Sequence, residues 1–245
     1  MILEVDAGNS ALKWRVIDAD SGVLVSGRSL LSQGNVFTQL AVDFPCLQEA
    51  KFSCVAKGAV ADQLAQSVFD LWGIRGQFAQ TQKHCSGLTV AYDDPSRLGV
   101  DRWLAMLAAF HEVRGAVCVF DCGSAVTADF VTVEGLHQGG YIAPGLKMQR
   151  DALLSNTGQI RFENAFDSQQ YGWGSSTEQA VGSGVVRMVV EFIDGVVDEL
   201  LELDAPPILY LTGGDAELLL PLLKRSLLFE VRSELVMDGL VVALD

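Results

Sequence analysis

Asp6, Gly8, Asn9, Ser10 and Lys13 lie close together near the start of the chain, and together they could hold a phosphate chain. Glycine leaves backbone amides uncovered. Exposed amides, a small hydroxyl and an ammonium form an anion cradle. A carboxylate beside such a cradle repels a bare phosphate but welcomes one that carries a divalent metal. The same residues also suit a plain hairpin turn with an incidental acid. A second Asp-x-Gly group, Asp121-Cys122-Gly123-Ser124, repeats the pattern. A third acid, Asp101, stands in Gly99-Val100-Asp101-Arg102 at the head of a helical pattern. There it reads as an N-cap, worth about 1 kcal/mol, or as a proton acceptor kept ionised by the helix dipole and Arg102. Thr212-Gly213-Gly214-Asp215 closes an apolar run, where a nucleotide's base or ribose can lie or where the chain simply turns.

The surrounding elements are read from hydrophobic period. Ile2, Leu3 and Val5 run into Asp6, and Leu12, Trp14, Val16 and Ile17 then alternate with polar Lys13 and Arg15, so the opening is strand, tight turn, strand. A third strand over 22–29, a helix over 36–44, a strand over 52–56, a helix over 59–72 and a strand over 76–79 complete a mixed α/β layer. Residues 83–97 are polar and turn-rich, and a helix follows over 101–113. At Ala116 the opening repeats as apolar strand, Asp-x-Gly, small hydroxyl, strand. That repetition predicts a duplicated fold with a cleft between the copies, each hairpin turned toward one phosphate chain. Gly139-Gly140 precedes a strand, and Pro144-Gly145 precedes a helix over 146–154. After a polar loop over 156–175 comes the longest helix, 177–203, capped by Ser176 or Thr177. A strand over 208–211, a helix over 216–223, a strand over 227–231 and a helix over 235–244 end the chain.

Composition narrows the function. A chain of 245 residues, 49% hydrophobic, can bury a full core. A net charge of -14 argues against nucleic acid and anionic membrane surfaces as partners. No basic segment followed by an apolar one precedes the strand at residue 2, so no signal peptide is expected. No uncharged apolar run reaches transmembrane length. Cys46, Cys54, Cys85, Cys118 and Cys122 lack metal spacing and read as reduced, mostly buried thiols of a cytoplasmic protein. His84, His111 and His137 have no ligand-spaced partner, which argues against a histidine zinc site.

In order and spacing these groups resemble the actin-like ATPase and sugar-kinase superfamily, and within it the type III pantothenate kinases, over nearly the whole chain. Asp6-Ala7-Gly8-Asn9-Ser10 with Lys13 resembles the first phosphate motif, and Asp121 to Thr127 the second. Tyr92, Pro95 and Gly99-Val100-Asp101-Arg102 resemble the substrate motif. The resemblance implies an α/β fold of two ribonuclease-H-like domains in tandem, 1–115 and 116–245, with the nucleotide between them. It implies phosphorylation of pantothenate by ATP with a divalent ion such as Mg2+, the first step toward coenzyme A, in a homodimer. Asp101 would be the base, and Tyr92, Gly99, Val100, Arg102 and Thr177 would hold pantothenate. Asp6, Ala7, Gly8, Asn9, Ser10, Ala11, Leu12 and Lys13, with Ser124, would hold ATP. Asp121 would bind K+ or NH4+. Serine at 124 departs from the family's usual threonine but keeps the hydroxyl. A kinase of the same superfamily acting on another small alcohol, such as a sugar, and a non-enzymatic regulatory relative are the alternatives.

Overall fold

Strand β1 (Ile2–Ala7) is the axis of the first sheet. It pairs antiparallel with β2 (Ala11–Asp18) and parallel with β4 (Glu49–Cys54). With β3 (Gly22–Leu30) and β5 (Gln77–Phe78) the order is β3-β2-β1-β4-β5. The computed structural model describes residues 1–9, 11–18, 20–30, 36–55, 58–156 and 171–244. Ser10, Ala56 and residues 157–170 of the polar loop lie outside the described residues.

Alternation along β1 sorts the sheet into two faces. Leu3, Val5 and Ala7 share one face with Val16, Leu12, Ala50 and Phe52, and pack with Phe37 and Leu40 of helix α1 (Val36–Asp43) and Val68 of α2 (Ala59–Trp72). Helix α2 ends where the sequence predicts, at Trp72, and the left-handed backbone of Gly73 after it lets the Gly73 amide donate to Phe69 O at 2.8 Å. The opposite face carries Glu4, Arg15 and Lys51 in one cross-strand row and Asp6, Lys13 and Ser53 in the next.

Between the sheets in sequence, the polar stretch after residue 83 contains a small hairpin that the composition hides. Strands β6 (His84–Cys85) and β7 (Leu88–Thr89) pair antiparallel, and Ser86 and Gly87 between them both have positive φ. Two positive-φ residues at a two-residue loop are the turn whose twist matches its strands. Helix α3 (Val100–Val113) follows and is buried all round from Arg102 to Phe110.

The second sheet repeats the first. Strand β8 (Val117–Cys122) pairs antiparallel with β9 (Ala125–Val131), which pairs with β10 (His137–Pro144). On its other side β8 runs parallel to β11 (Ile208–Thr212), and β12 (Phe229–Val231) forms the edge. The order β10-β9-β8-β11-β12 has the same sequence of antiparallel and parallel neighbours as the first sheet. Phe120 and Leu211 pack with Val186, Val190 and Ile193 of α5 (Thr177–Leu201), in a core that also includes Leu146 of α4 (Leu146–Asn156). Gly139 and Gly140 lie inside β10, at a register shift, rather than before the strand. The expected helix over 216–223 is one α-helical turn, α6 (Ala216–Leu219), followed by a 3-10 turn over Leu220–Leu222. Pro221 has no amide to continue the α-helical ladder.

Two compact units result, residues 1–111 with 235–245, and residues 112–234. The sequence places the closing helix α7 (Leu235–Leu244) in the second half, yet it belongs to the first unit. Its Gly239 explains how: a Cβ there would come within 2.2 Å of Leu104 O, so only glycine allows so close an approach to α3. Asp238 of the same helix accepts from Arg15 Nη1 at 2.8 Å. Among the described residues no helix is long and apolar enough to cross a membrane.

Candidate active site

The first unit brings the two acids singled out by the sequence into one neighbourhood. Asp6 leaves the end of β1, and Gly8 N donates to Ala11 O at 3.1 Å to close the turn. Ala7 and Leu12 point into the core, so they can offer a ligand only their backbone. Asn9 is exposed, and Lys13 stands opposite Asp6 across the strands. Asp6 Oδ1 is buried and has no hydrogen-bond partner among the described residues. Burial, helped by the charge of Asp101, pushes the Asp6 carboxyl up to about 6 against the opposing effects of the Ser53 hydroxyl and Lys13. An acid so placed is poorly served by protein alone and well suited to a cation.

Asp101 enters from α3. Trp103 N donates to Gly99 O at 3.1 Å, so Gly99 caps the helix and Asp101 sits in its first turn rather than at the cap. Its Oδ1 accepts from Arg102 N at 2.8 Å. A Cβ on Gly99 would stand 2.6 Å from that oxygen, so the glycine leaves room for this carboxylate position. Arg102 is buried at 8% exposure, and its Nη1 donates to Tyr92 OH at 3.4 Å. Lys83 Nζ ties the Tyr92 backbone by donating to its carbonyl at 2.9 Å. Tyr92, Gly99, Asp101 and Arg102 thus form one cluster beside Asp6 and Lys13. Val100 lines an adjoining cavity of about 660 Å3 with Gly99, Leu98 and Thr81.

The second unit builds a matching turn from Asp121 and Ser124. Gly123 N donates to Ala125 O at 3.0 Å, as Gly8 N does to Ala11 O, and Asp215 N donates to Cys122 O at 2.9 Å, as Val55 N does to Ala7 O at 3.1 Å. Two glycines press on this turn. A Cβ on Gly145 would meet Gly123 O at 2.3 Å, and one on Gly213, whose φ is +96°, would meet Asp121 Oδ1 at 2.5 Å. The Thr212-Gly213 turn therefore abuts the Asp121 carboxylate, a role that sequence reasoning left out. Thr177 is exposed at the start of α5, and Ser176 is the cap, accepting from Gln179 N at 3.2 Å. Gln179 Oε1 in return accepts from Ser175 N at 2.9 Å.

The thiols and histidines stand aside from this chemistry. None of the five cysteines forms a disulfide. Only Cys118 and Cys122 are buried, fewer than the sequence suggests, because Cys46, Cys54 and Cys85 fall at strand ends or loops. Burial pushes both buried thiols up, away from the thiolate form. His137 Nε2 lies 3.2 Å from Asp129 Oδ1 in the second unit's interior. No group of three or more metal-ligating side chains occurs among the described residues.

Residues 2–199 match the type III pantothenate kinase family. The chain belongs to that family. The type III pantothenate kinase of Ectopseudomonas mendocina (strain ymp) is 35% identical over 247 residues, 99% of this chain and 98% of its own. That of Pseudomonas fluorescens (strain Pf0-1) is 36% identical over 250 residues, with the same coverage of each chain. Among solved structures, a ROK family glucokinase from Streptomyces griseus in complex with glucose and AMPPNP matches with a TM-score of 0.53 at 11% identity, over 98% of this chain and 97% of that one. Such a likeness concerns the fold alone, which is that of the actin-like ATPases and sugar kinases. As a member of the type III pantothenate kinase family, the chain is a kinase that uses ATP and a divalent metal. The Asp6 site suits such a metal: its buried oxygen lacks a partner among the described residues, and Lys13 and the Gly8 turn stand beside it.

The raised Asp6 carboxyl has a consequence for the protein without ligand. Its folded pKa, about 6, exceeds the ordinary 3.8, so its contribution to stability is fully present below pH 3.8 and is lost as pH rises through 6. Asp6→Asn is expected to raise the melting temperature of the nucleotide-free protein at pH 7.5 by more than at pH 5. Equal shifts at the two pH values, read by calorimetry, would contradict the burial argument.

Proposed function

We propose that this chain transfers the terminal phosphoryl group of ATP to the primary hydroxyl of pantothenate, giving 4'-phosphopantothenate for coenzyme A synthesis. The observation that carries the reading is the convergence of Asp101, Arg102 and Tyr92 with Asp6 and Lys13 in the first unit.

Phosphoryl transfer asks for positioning and charge neutralisation more than for covalent catalysis. Arg102, fixed by Tyr92, is the cation for the pantothenate carboxylate. Asp101 accepts the proton of the primary hydroxyl as that oxygen bonds to the γ-phosphorus and the bond to the ADP oxygen breaks. Val100 and Thr177 complete the pantothenate contacts. In the first unit the amides of Gly8 and Asn9, with Lys13, hold the phosphates, while Ala7, Ala11 and Leu12 fix the turn; Ser10 and Ser124 are phosphate ligands by the sequence pattern alone. Asp6 would hold the divalent ion, which when bound would supply charge neutralisation on the phosphate oxygens.

Asp121 is the ligand of a monovalent cation, K+ or NH4+. Exchange of potassium for sodium is expected to remove most of the activity, and full rate in sodium-only buffer would count against this role. The protein acts as a homodimer. Exposed apolar Tyr141, Ile142 and Met188 of the second unit are suited to an interface. The cytoplasm, where coenzyme A precursors and ATP meet, is the expected compartment.

The test is ADP release measured against a panel of small alcohols, with and without potassium. Pantothenate is expected to be the one that drives turnover. Faster turnover with a sugar would replace the reading with that of a sugar kinase.

A further inference from the structure

Ser53 is the polar residue that the proposed reaction leaves without a task. It lies in β4 directly opposite Asp6 on the parallel strand, so the two side chains share a face. Ser53 is 0% exposed. Its Oγ, like Asp6 Oδ1, has no hydrogen-bond partner among the described residues. The register alone sets the hydroxyl on the same face as the Asp6 carboxylate, one strand away.

A buried hydroxyl with no bond is costly, and alanine at this position would avoid the cost. The neighbouring row of the same face shows what the fold does when polarity serves structure: Glu4, Arg15 and Lys51, with Asp238, balance one another's charge. Ser53 is not part of such a pairing. The second unit supplies an independent observation. At the equivalent register β11 places Thr212, 2% exposed, opposite Asp121 on β8. Each half therefore sets a buried hydroxyl beside the acid that opens its phosphate turn. The two hydroxyl residues differ in type and share only that placement.

We propose that Ser53 is a positioning residue whose hydroxyl, unbonded in the ligand-free protein, donates to the Asp6 carboxylate when ATP and its divalent cation bind, and so turns that carboxylate toward the cation. This rests on the reading of Asp6 as the cation-side acid. A donor on one carboxylate oxygen leaves the other directed at the metal or its water, and outer partners of this kind typically change metal affinity by about 10- to 100-fold.

The experiment is calorimetric titration of the wild-type chain with a non-hydrolysable ATP analogue, with and without Mg2+, repeated for Ser53→Ala, Asp6→Asn and the double variant. The magnesium-dependent gain in affinity is expected to fall about 10-fold in Ser53→Ala, while metal-free binding stays unchanged. It should fall further in Asp6→Asn, and the double variant should be no weaker than Asp6→Asn alone. If Ser53→Ala fails to fold, Ser53→Cys, close in size and a weak donor, takes its place. A wild-type gain in the serine variant alongside a lost gain in Asp6→Asn overturns the role of Ser53. So does a serine effect that adds in full to that of Asp6→Asn. An undiminished gain in Asp6→Asn overturns the reading of Asp6 itself, and the inference with it.

Discussion

Asp101→Asn lowers kcat by about 10²- to 10⁴-fold, the range for loss of a positioned general base, while ATP and pantothenate still bind. Asparagine keeps the shape of the side chain and an oxygen to accept from Arg102 N, which Asp101 Oδ1 meets at 2.8 Å. What it loses is the capacity to take the hydroxyl proton. The helix N-terminus beneath this residue complements a negative charge, so the fold favours a base here. Arg102 and Tyr92 lie outside the change, and the KM for pantothenate should move little. Steady-state kinetics with both substrates varied separates the two quantities. Near-wild-type kcat would remove Asp101 from the base role, and a large rise in KM with kcat intact would make it a binding residue.

The second large effect is on stability. Arg15 Nε donates to Glu4 Oε2 at 2.5 Å and Nη1 to Asp238 Oδ1 at 2.8 Å, with Glu4 0% exposed. Burial raises the Glu4 carboxyl, and Arg15 draws it back down. Arg15→Ala strands a buried carboxylate and loosens α7 from the sheet, for an expected loss of about 3–5 kcal/mol. Arg15→Lys keeps the charge but not the fork that reaches both acids, and should fall between. Trp14, Trp72 and Trp103 all lie in the first unit, so urea unfolding followed by tryptophan fluorescence reads the right part of the molecule. A loss below about 1 kcal/mol, the size of an exposed pair, would show the ion row to be dispensable.

This row also marks the limit of what the sequence conveys. Apolar residues alternating with Lys13 and Arg15 correctly indicate a strand, and the Asp-x-Gly echo at Asp121 correctly marks a second copy of the sheet. Alternation says which residues share a face, but not what covers it. Arg15 reads as a residue of the wet face, yet it is buried because α7, more than two hundred residues away in sequence, returns to that face. Gly239 was the available signal, a glycine inside an apolar helix, but its meaning depends on the α3 carbonyl it approaches. Ser53 was hidden for a similar reason. One serine at the end of an apolar strand is unremarkable until the register sets it opposite Asp6. Local chemistry fared better: the apolar period of α2 stops at Trp72 and Ser176 caps α5, because those signals act within a few residues.

The most direct measurement is phosphorus NMR of the wild-type chain incubated with ATP, Mg2+, K+ and pantothenate. The account predicts one new phosphomonoester, on the primary hydroxyl of pantothenate, formed in equal amount to ADP. ADP and inorganic phosphate without that ester, or no ADP at all, would contradict it.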